Sequence, residues 1–256
     1  MSHLRAFKIA VGFIILTLPL MPVQWLLLHF NSRLSRRLPQ HYHRLVCGLL
    51  GIHIEVEGVI PGPGLLVANH TSWLDIPVLS TVVPLSFIAK KEVDHWPFFG
   101  TLARLQNSYF IDRSRRLPTG GARTALIKRL YAGETLVLFP EGTSGPGHRV
   151  KPFKSALFGT IENSKIPVFP VTIIYTAQHG LPLTLRQRPQ VAWYGGMDLL
   201  PHLWQVLKAG PIKVQIIVLP TLFSSNFASR KTLAQAAEGQ IRAQLGKRLH
   251  RAPKIG

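Results

Sequence analysis

The chain has 256 residues, of which 46% are hydrophobic and 16% charged, and its 30 Lys and Arg residues against 11 Asp and Glu residues give a net charge of +19. This apolar content excludes a disordered chain, and the single cysteine, Cys47, excludes a disulfide framework and a cysteine-based zinc site. The length suits one domain with at most a small appendage, and the basic excess predicts an anionic partner: nucleic acid, a membrane surface or a charged substrate.

Residues 1–44 predict a membrane anchor. The stretch Ala10–Leu28 is almost wholly apolar, and in a helix with a rise of ~1.5 Å per residue it would cover about 28 Å, close to the thickness of a bilayer's hydrocarbon core. Pro19 and Pro22 interrupt it, so a broken helix or a helical hairpin that dips into one leaflet fits as well as a straight span. Basic residues on both flanks favour contact with anionic lipids at the cytoplasmic face of the cell inner membrane. A cleaved signal peptide and a buried helix of a soluble domain are the alternatives.

Residues 45–225 predict an α/β domain. Five short apolar runs, each bounded by Gly, Pro or polar residues, have the pattern of buried strands. These runs are Leu65–Ala68, Leu85–Ala89, Thr135–Phe139, Pro167–Tyr175 and Val214–Leu219. Helical patterns, such as Gly121–Tyr131, alternate with them, and this alternation favours a sheet covered by helices.

Residues 226–256 predict a basic amphipathic helix. Its apolar residues recur every four positions, with lysines and arginines among them: Leu233, Ala237, Ile241, Leu245 and Leu249. Such a helix can dock on the body of the protein or on a membrane surface.

The densest group of chemically reactive residues is Asn69–Asp75, directly after the predicted strand Leu65–Ala68. A neutral imidazole is the natural general base near pH 7, and a carboxylate bonded to its other ring nitrogen fixes the tautomer. On one continuous helix His70 and Asp75 would diverge by about 140°, but they can meet if His70 lies in a turn before the helix. The alternative is structural, because Ser72 and Asp75 also have the spacing of a capping box.

Two further clusters follow apolar runs. Phe110–Arg116 is rich in arginine, whose guanidinium group matches phosphate oxygens in a bidentate manner, although a solvated basic loop is the alternative. In Phe139–Ser144, Gly142 allows close approach of the backbone to a ligand, and Glu141 could accept from a substrate hydroxyl or hold Arg113. An ordinary loop before a helix is the alternative for this segment. The motifs of metalloproteases, P-loop proteins and α/β-hydrolases do not occur in the sequence, and we predict no metal site.

Together, the clusters resemble the glycerolipid acyltransferase family of 1-acylglycerol-3-phosphate O-acyltransferases. Asn69–Asp75 is similar to its NHxxxxD block, Tyr109–Arg113 to its second block, Phe139–Ser144 to its third and Ile166–Val171 to its proline-rich fourth, in the family's order. The resemblance implies a single mixed sheet covered by helices. It also implies an enzyme that moves a fatty acyl group from a thioester to the free sn-2 hydroxyl of 1-acylglycerol-3-phosphate, which gives phosphatidic acid for phospholipid synthesis.

The resemblance implies roles for individual residues as well. His70 would take the proton from the acceptor hydroxyl, Asp75 would orient His70, and Lys91 would stabilise the oxyanion. The residues expected to bind the acceptor are Asn69, Arg113, Glu141, Gly142, Thr143 and Arg149. No acyl-enzyme, metal or other cofactor is implied, and the co-substrate is a thioester of coenzyme A or of acyl carrier protein.

Two positions depart from the family's pattern. The family often has Arg after Glu-Gly-Thr, where this chain has Ser144, and Asn107 stands where the second block commonly has Gly. The residues that could supply the missing charge are Arg149, Lys151 and Lys154. The stretch from Trp73 to Arg116, together with Ser144, also resembles a branch that acylates lyso-ornithine lipid, whose zwitterionic head group has no phosphate. Lyso-ornithine lipid is therefore the alternative acceptor.

A nucleic-acid-binding protein is the rival interpretation from another class, and it is supported by the net charge alone. It predicts aromatic and basic residues that share one face, whereas the basic runs here flank apolar segments, so we expect no nucleic-acid partner. A catalytically silent membrane scaffold would keep the same fold, but the presence of His70, Asp75 and Glu141 argues against it.

Overall fold

The computed structural model describes residues 2–112, 120–162 and 164–251. Within these residues the chain folds into one mixed sheet with helices on both faces, which confirms the predicted fold class. The helices are α1 (Ser2–His29), α2 (Leu34–Leu50), α3 (Asp75–Ser80), α4 (Lys91–Asp94), α5 (Phe99–Leu105), α6 (Gly120–Tyr131), α7 (Leu199–Lys208) and α8 (Arg230–Arg251). The strands are β1 (Ile52–Glu57), β2 (Leu65–Ala68), β3 (Ser86–Lys90), β4 (Tyr109–Ile111), β5 (Leu136–Leu138), β6 (Pro167–Gln178), β7 (Leu181–Pro182), β8 (Ile212–Val218) and β9 (Leu222–Phe223).

The strands follow the order β1-β8-β6-β2-β5-β3-β4, and β7 and β9 pair with β6. Strands β2 to β6 run parallel to one another, whereas β8 runs antiparallel to β6 and pairs with β1 in parallel. All five predicted strands are present. Strand β1 was not predicted because it lies at the edge of the sheet and only Ile52 is buried, so its sequence lacks an apolar run.

The central strand β2 separates two apolar layers. Leu66 and Ala68 pack in the layer of α1, α2, α3 and α7, and Leu65 and Val67 pack in the layer of α6 and α8. A strand covered on both faces needs an apolar residue at every position, which explains the continuous run in β2. Because β2 and β5 are parallel neighbours, the segments that follow their carboxyl ends meet at one edge of the sheet.

Helices α1 and α2 form an antiparallel hairpin. Helix α1 continues through Pro19 and Pro22, and four residues connect it to α2. Hydrogen bonds join the start of α1 to the end of α2, and the end of α1 to the start of α2: Arg5 Nη2 to Leu50 O (2.9 Å), Thr17 Oγ1 with the Tyr42 hydroxyl (2.9 Å) and Gln24 Nε2 to Ser35 O (2.9 Å).

The hairpin is also part of the folded body. Val46, Cys47 and Leu50 of α2 are buried in the same core layer as α3. The Arg5 guanidinium donates to backbone carbonyls at the end of α7. The predicted anchor boundary at residue 44 therefore falls inside α2, at a point where the apolar face of that helix completes the core.

The remaining face of α1 is apolar and exposed. Its most apolar 18-residue window has a mean hydropathy of 2.0 and is only 17% buried, so this helix is long and apolar enough to cross a membrane. The exposed apolar side chains of α1 are Leu4, Phe7, Val11, Ile14, Ile15, Leu18, Val23, Trp25 and Leu26. An exposed apolar surface of this extent is typical of a membrane or protein contact.

The predicted C-terminal helix corresponds to α8, and its apolar face docks on the body. The side chains at the four-residue spacing are at most 2% exposed and share a core layer with α6: Leu233, Ala237, Ile241 and Leu245. Lys231, Arg242 and Lys247 lie on the exposed face. Residues 252–256 lie outside the described part of the chain.

Replacement of Phe7, Ile15 and Leu18 by Glu is expected to release the protein from membranes. These side chains are 53–67% exposed, and transfer of each one into an apolar environment is worth about 1.5–3 kcal/mol. The fraction of protein that sediments with membrane vesicles measures the effect.

The matched control replaces Val59, Leu181 and Leu185 by Glu. These side chains are 66–79% exposed but lie outside the helical hairpin. Retention of the α1 variant on the vesicles, or equal release of both variants, would show that α1 is not the membrane-binding element.

Candidate active site

His70 lies in the turn between β2 and α3, directly after Asn69. The Asn69 amide nitrogen donates to the Ile173 carbonyl (3.0 Å), and its side-chain oxygen accepts from the Ile173 N–H (2.8 Å). These two bonds to β6 fix the point at which the chain leaves the sheet. Asn69 is only 3% exposed and both of its side-chain polar atoms bond to the backbone, so the structure gives it a role in positioning the turn.

The structure brings His70 and Asp75 together. The His70 Nδ1 atom lies 2.8 Å from Asp75 Oδ2, and the same oxygen accepts from the N–H groups of Thr71 (2.6 Å) and Ser72 (3.0 Å). Because this carboxylate accepts from the ring, Nδ1 carries the single ring proton of the neutral imidazole. The Nε2 atom then has a lone pair that can accept a proton from a substrate. The His70 side chain is 18% exposed and that of Asp75 is fully buried.

Only half of the predicted capping box is formed, because the Asp75 carboxylate accepts from the Ser72 N–H (3.0 Å) but the Ser72 hydroxyl does not return a bond. Among the described residues, the Ser72 hydroxyl is buried without a hydrogen-bond partner, and α3 has no side-chain cap at its start. Asp75 accepts from the turn and from the imidazole.

Tyr175 is a member of the site that the sequence did not reveal. Its hydroxyl donates to Asp75 Oδ1 (2.7 Å) from strand β6, and the residue is 2% exposed. Burial, together with the Asp75 carboxylate, raises the pKa of Tyr175 well above its usual range, so the phenol remains a donor. Both oxygens of Asp75 are thereby paired.

Glu141 connects the His70 turn to the loop after β5. Its Oε1 atom accepts from the His70 N–H (2.8 Å), and its Oε2 atom accepts from the Lys151 N–H (2.9 Å). Burial raises the pKa of Glu141 to about 7, although the two backbone N–H groups favour the charged form. The Gly145 N–H also donates to the His70 carbonyl (2.8 Å). Glu141 therefore holds the backbone on both sides of the site.

An apolar cavity of about 760 Å³ ends at His70. It lies between the α1–α2 hairpin and the body of the protein, and its lining is mostly aliphatic and aromatic. Phe139 stacks on the His70 ring with a centroid distance of 4.1 Å. The segment Gly142–Ser144 lines the cavity beside His70. The His70 ring, whose Nε2 atom has no hydrogen bond to a described residue, therefore meets an apolar space large enough for a lipid chain.

The other predicted site residues divide into three groups. Gly142, with a φ of 77°, and the exposed Thr143 line the cavity. Lys91 and Arg149 are exposed and are not among the residues that line it, whereas the neighbouring Lys90 does line it. Arg113 lies outside the described residues.

Lys90 and Lys91 differ because β3 ends between them. Lys90 is the last residue of β3 and borders the cavity, and its ammonium group pairs with Glu92 (2.9 Å). Lys91 begins α4 and is exposed to solvent. Of these two lysines, Lys90 is the one that borders the cavity that His70 also lines.

Comparison with known proteins identifies the family. Residues 52–174 match a family model described as Acyltransferase. A Brucella abortus protein named lyso-ornithine lipid O-acyltransferase is 41% identical over 251 residues, which are 94% of this chain and 94% of that protein. A Neisseria meningitidis protein named 1-acyl-sn-glycerol-3-phosphate acyltransferase is 30% identical over 183 residues, which are 72% of this chain and 69% of that protein. The chain belongs to the glycerolipid acyltransferase family of 1-acylglycerol-3-phosphate O-acyltransferases.

The fold of this glycerolipid acyltransferase also has a counterpart among solved structures. The crystal structure of the 1-acyl-sn-glycerophosphate (LPA) acyltransferase PlsC from Thermotoga maritima matches with a TM-score of 0.70 and 23% identity, over 99% of this chain and 97% of that one. The chain is thus an O-acyltransferase for lysolipids, with an acyl thioester as donor. The exposed apolar helix α1 agrees with association of such an enzyme with membranes.

Substitution of Tyr175 by Phe is expected to lower kcat about tenfold or more and to leave KM for both substrates within twofold. The variant loses one hydrogen bond to a charged group, which contributes about 1.5–3 kcal/mol, and it frees Asp75 to move away from His70. Steady-state kinetics separates kcat from KM. The control Ser224→Ala also loses a buried hydroxyl bond, from Ser224 to the Ser164 carbonyl (2.6 Å), but neither residue belongs to the His70 turn. This control is expected to lower stability and to leave kcat unchanged. Equal kcat values for the Tyr175→Phe variant and the unsubstituted enzyme would contradict the positioning role.

The high pKa of Glu141 makes stability depend on pH. The folded protein holds this proton up to about pH 7, whereas an unperturbed Glu releases it near 4.5. The contribution to folding is therefore complete below pH 4.5 and is lost as the pH rises through 7. The full contribution of this proton to the free energy of unfolding is on the order of 3 kcal/mol.

Substitution of Glu141 by Gln removes this titration. Between pH 5 and pH 8, the free energy of unfolding of the unsubstituted protein is expected to fall relative to that of the variant by on the order of 2–3 kcal/mol. Denaturant unfolding in detergent at both pH values measures the free energy of unfolding of each protein. The contributions of groups that titrate in both proteins cancel when the two free energies are subtracted. A constant difference across this range would show that Glu141 is ionised throughout.

Proposed function

We propose that this glycerolipid acyltransferase esterifies the free hydroxyl of lyso-ornithine lipid with a fatty acyl group from a thioester donor. The observation that carries this function is the 2.8 Å contact between His70 Nδ1 and Asp75 Oδ2 at the end of an apolar cavity. The catalytic roles of both residues are part of the proposal.

The proposed reaction follows from the protonation state of His70. The Nε2 atom takes the proton of the acceptor hydroxyl as the hydroxyl oxygen attacks the thioester carbonyl. Collapse of the tetrahedral intermediate forms the ester bond and breaks the carbon–sulfur bond, and the imidazolium returns the proton to the departing thiolate. Asp75 stabilises the imidazolium between these steps, as the carboxylate of a catalytic triad does. No covalent acyl-enzyme is formed, and the proposal needs no cofactor beyond the donor.

Two observations support lyso-ornithine lipid as the acceptor. Two relatives that carry this name match more than nine tenths of the chain: the Brucella protein, and one from Rhizobium meliloti that is 40% identical over 245 residues, which are 92% of this chain and 84% of that protein. In addition, Ser144 stands where the family often has Arg. Ser144 is 5% exposed and its carbonyl accepts from Lys151 Nζ (2.8 Å), so this position supplies no guanidinium of its own. An ornithine head group carries a carboxylate and an ammonium group in place of the phosphate.

Lysophosphatidate is the second candidate acceptor. The arginine of the second family block, Arg113, is present in the sequence, and the relatives named 1-acyl-sn-glycerol-3-phosphate acyltransferase share this family. With this acceptor the same proton transfer would give phosphatidic acid.

The proposal locates the enzyme at the cytoplasmic face of the cell inner membrane, with α1 in contact with lipid. Basic residues at both ends of the apolar stretch support this orientation, because cytoplasmic flanks are rich in Lys and Arg and the cytoplasmic leaflet is anionic. These residues are Arg5, Lys8, Arg33, Arg36 and Arg37. Either coenzyme A or acidic acyl carrier protein suits the net charge of +19 as the carrier of the acyl group.

An acyl-transfer assay with the membrane-bound protein tests the function. Lyso-ornithine lipid and lysophosphatidate are offered side by side, each with acyl-CoA and with acyl carrier protein thioester. We expect kcat/KM for lyso-ornithine lipid to exceed that for lysophosphatidate at least about tenfold, and we expect the His70→Ala variant to lose at least about 100-fold in kcat while it remains folded. A preference for lysophosphatidate would move the assignment to the second candidate, and a fully active His70→Ala variant would overturn the mechanism.

A further inference from the structure

Lys154 lies against the backbone of the active-site loop at Gly142. A Cβ atom at position 142 would come within 2.8 Å of Lys154 Nζ and 3.0 Å of Lys154 Cε. Gly142 also has a φ of 77° and lines the cavity beside His70. The glycine therefore leaves the space in which the ammonium group sits, next to the cavity end that holds the imidazole.

The backbone holds Lys154 in this position. Its N–H donates to the Pro140 carbonyl (2.9 Å), which closes the loop between the end of β5 and the 3-10 helix Ser155–Thr160. The preceding residue, Phe153, is held as well, because its N–H donates to Glu238 Oε2 on α8 (2.8 Å). The Lys154 side chain thus starts from a fixed point on the loop.

The positive charge of Lys154 is not neutralised within the described residues. No described carboxylate forms an ion pair with its ammonium group. Glu141, the neighbour of Gly142, has both oxygens bonded to the N–H groups of His70 and Lys151. Lys154 is exposed, so an anion bound to it would keep contact with water.

Two described cations near this loop, Lys151 and Lys90, are already engaged. Lys151 Nζ donates to the Ser144 carbonyl (2.8 Å), and Lys90 pairs with Glu92 (2.9 Å). Arg149 and Lys154 are both exposed, and neither is among the residues that line the cavity. Of the three residues that the sequence offered as a replacement for the absent arginine, Lys154 is the one whose charge lies against the glycine of the Glu-Gly-Thr motif.

We propose that Lys154 binds the anionic head group of the acceptor lipid, the carboxylate in lyso-ornithine lipid, beside the Gly142 segment of the cavity wall. This assignment rests on the proposed function, because it names the group through which that acceptor is held. The acyl chain of the lipid would lie in the apolar cavity, its head group would lie on the exposed side of Gly142, and its hydroxyl would lie between them, at His70. A carboxylate needs one charge-assisted bond here, which an ammonium group supplies, whereas a phosphate would favour the bidentate guanidinium that the chain lacks at Ser144.

The first test is the Lys154→Met variant, which keeps the length of the side chain and removes its charge. We expect KM for lyso-ornithine lipid to rise at least about tenfold, with kcat and the KM of the thioester donor within twofold. The matched control is Lys231→Met, which removes one exposed charge on α8 and is expected to leave all constants within twofold. Lys154→Arg keeps the charge and should restore most of the affinity, which separates the loss of charge from a loss of folding. An unchanged acceptor KM in the methionine variant would overturn the assignment.

The second test changes the lipid in place of the protein. Conversion of the lyso-ornithine carboxylate to its methyl ester removes the anion that Lys154 is proposed to bind. The ester should lose about as much affinity for the unsubstituted enzyme as the Lys154→Met substitution costs with the free acid. The variant should then bind both lipids alike, because the two changes remove the same interaction. Independent, additive losses would show that Lys154 and the carboxylate do not meet.

The same variants separate this assignment from the proposed function. If the unsubstituted enzyme acylates lysophosphatidate and leaves lyso-ornithine lipid untouched, the proposed acceptor is wrong, and the phosphate becomes the head-group anion. A selective rise in KM for lysophosphatidate in Lys154→Met would then support Lys154 as the anion-binding residue, and an unchanged KM would overturn it.

Discussion

The active site depends on one buried carboxylate that is held by four donors. Asp75 accepts from two backbone N–H groups of its own turn, from the His70 imidazole and from the Tyr175 hydroxyl. An ionised carboxylate without partners would be costly at zero exposure, so each donor restricts the geometry that the others can take. The turn, the imidazole ring and strand β6 are therefore fixed relative to one another, and this fixes the orientation of His70.

The helical hairpin links this site to the membrane. Helix α1 contributes one face to the wall of the cavity and exposes the other, so a single helix separates the space at His70 from the surroundings of the protein. A lipid chain can then pass between two apolar environments with little exposure to water. The loop held by Glu141 lies on the other side of His70 and contributes Gly142, Thr143 and Ser144 to the cavity wall.

Sequence predicted the local parts of this arrangement and missed the distant ones. His70 and Asp75 lie five residues apart, so a turn and a helix start are sufficient to pair them. The bonds of Asn69 with Ile173 and of Asp75 with Tyr175 span 104 and 100 residues, and no short pattern marks such partners. The predicted anchor boundary at residue 44 follows a change of composition, which does not reveal that the packing of α2 continues to Leu50.

The two contacts with β6 also determine when the site can form during synthesis of the polypeptide chain. Residues 69–75 and β6 can join only after about one hundred further residues have left the ribosome, and domains assemble as their sequence becomes available. By then, the apolar N-terminal helix has long been free to reach a bilayer. The apolar helix is thus available to a bilayer before His70 and Asp75 acquire the strand that fixes their geometry.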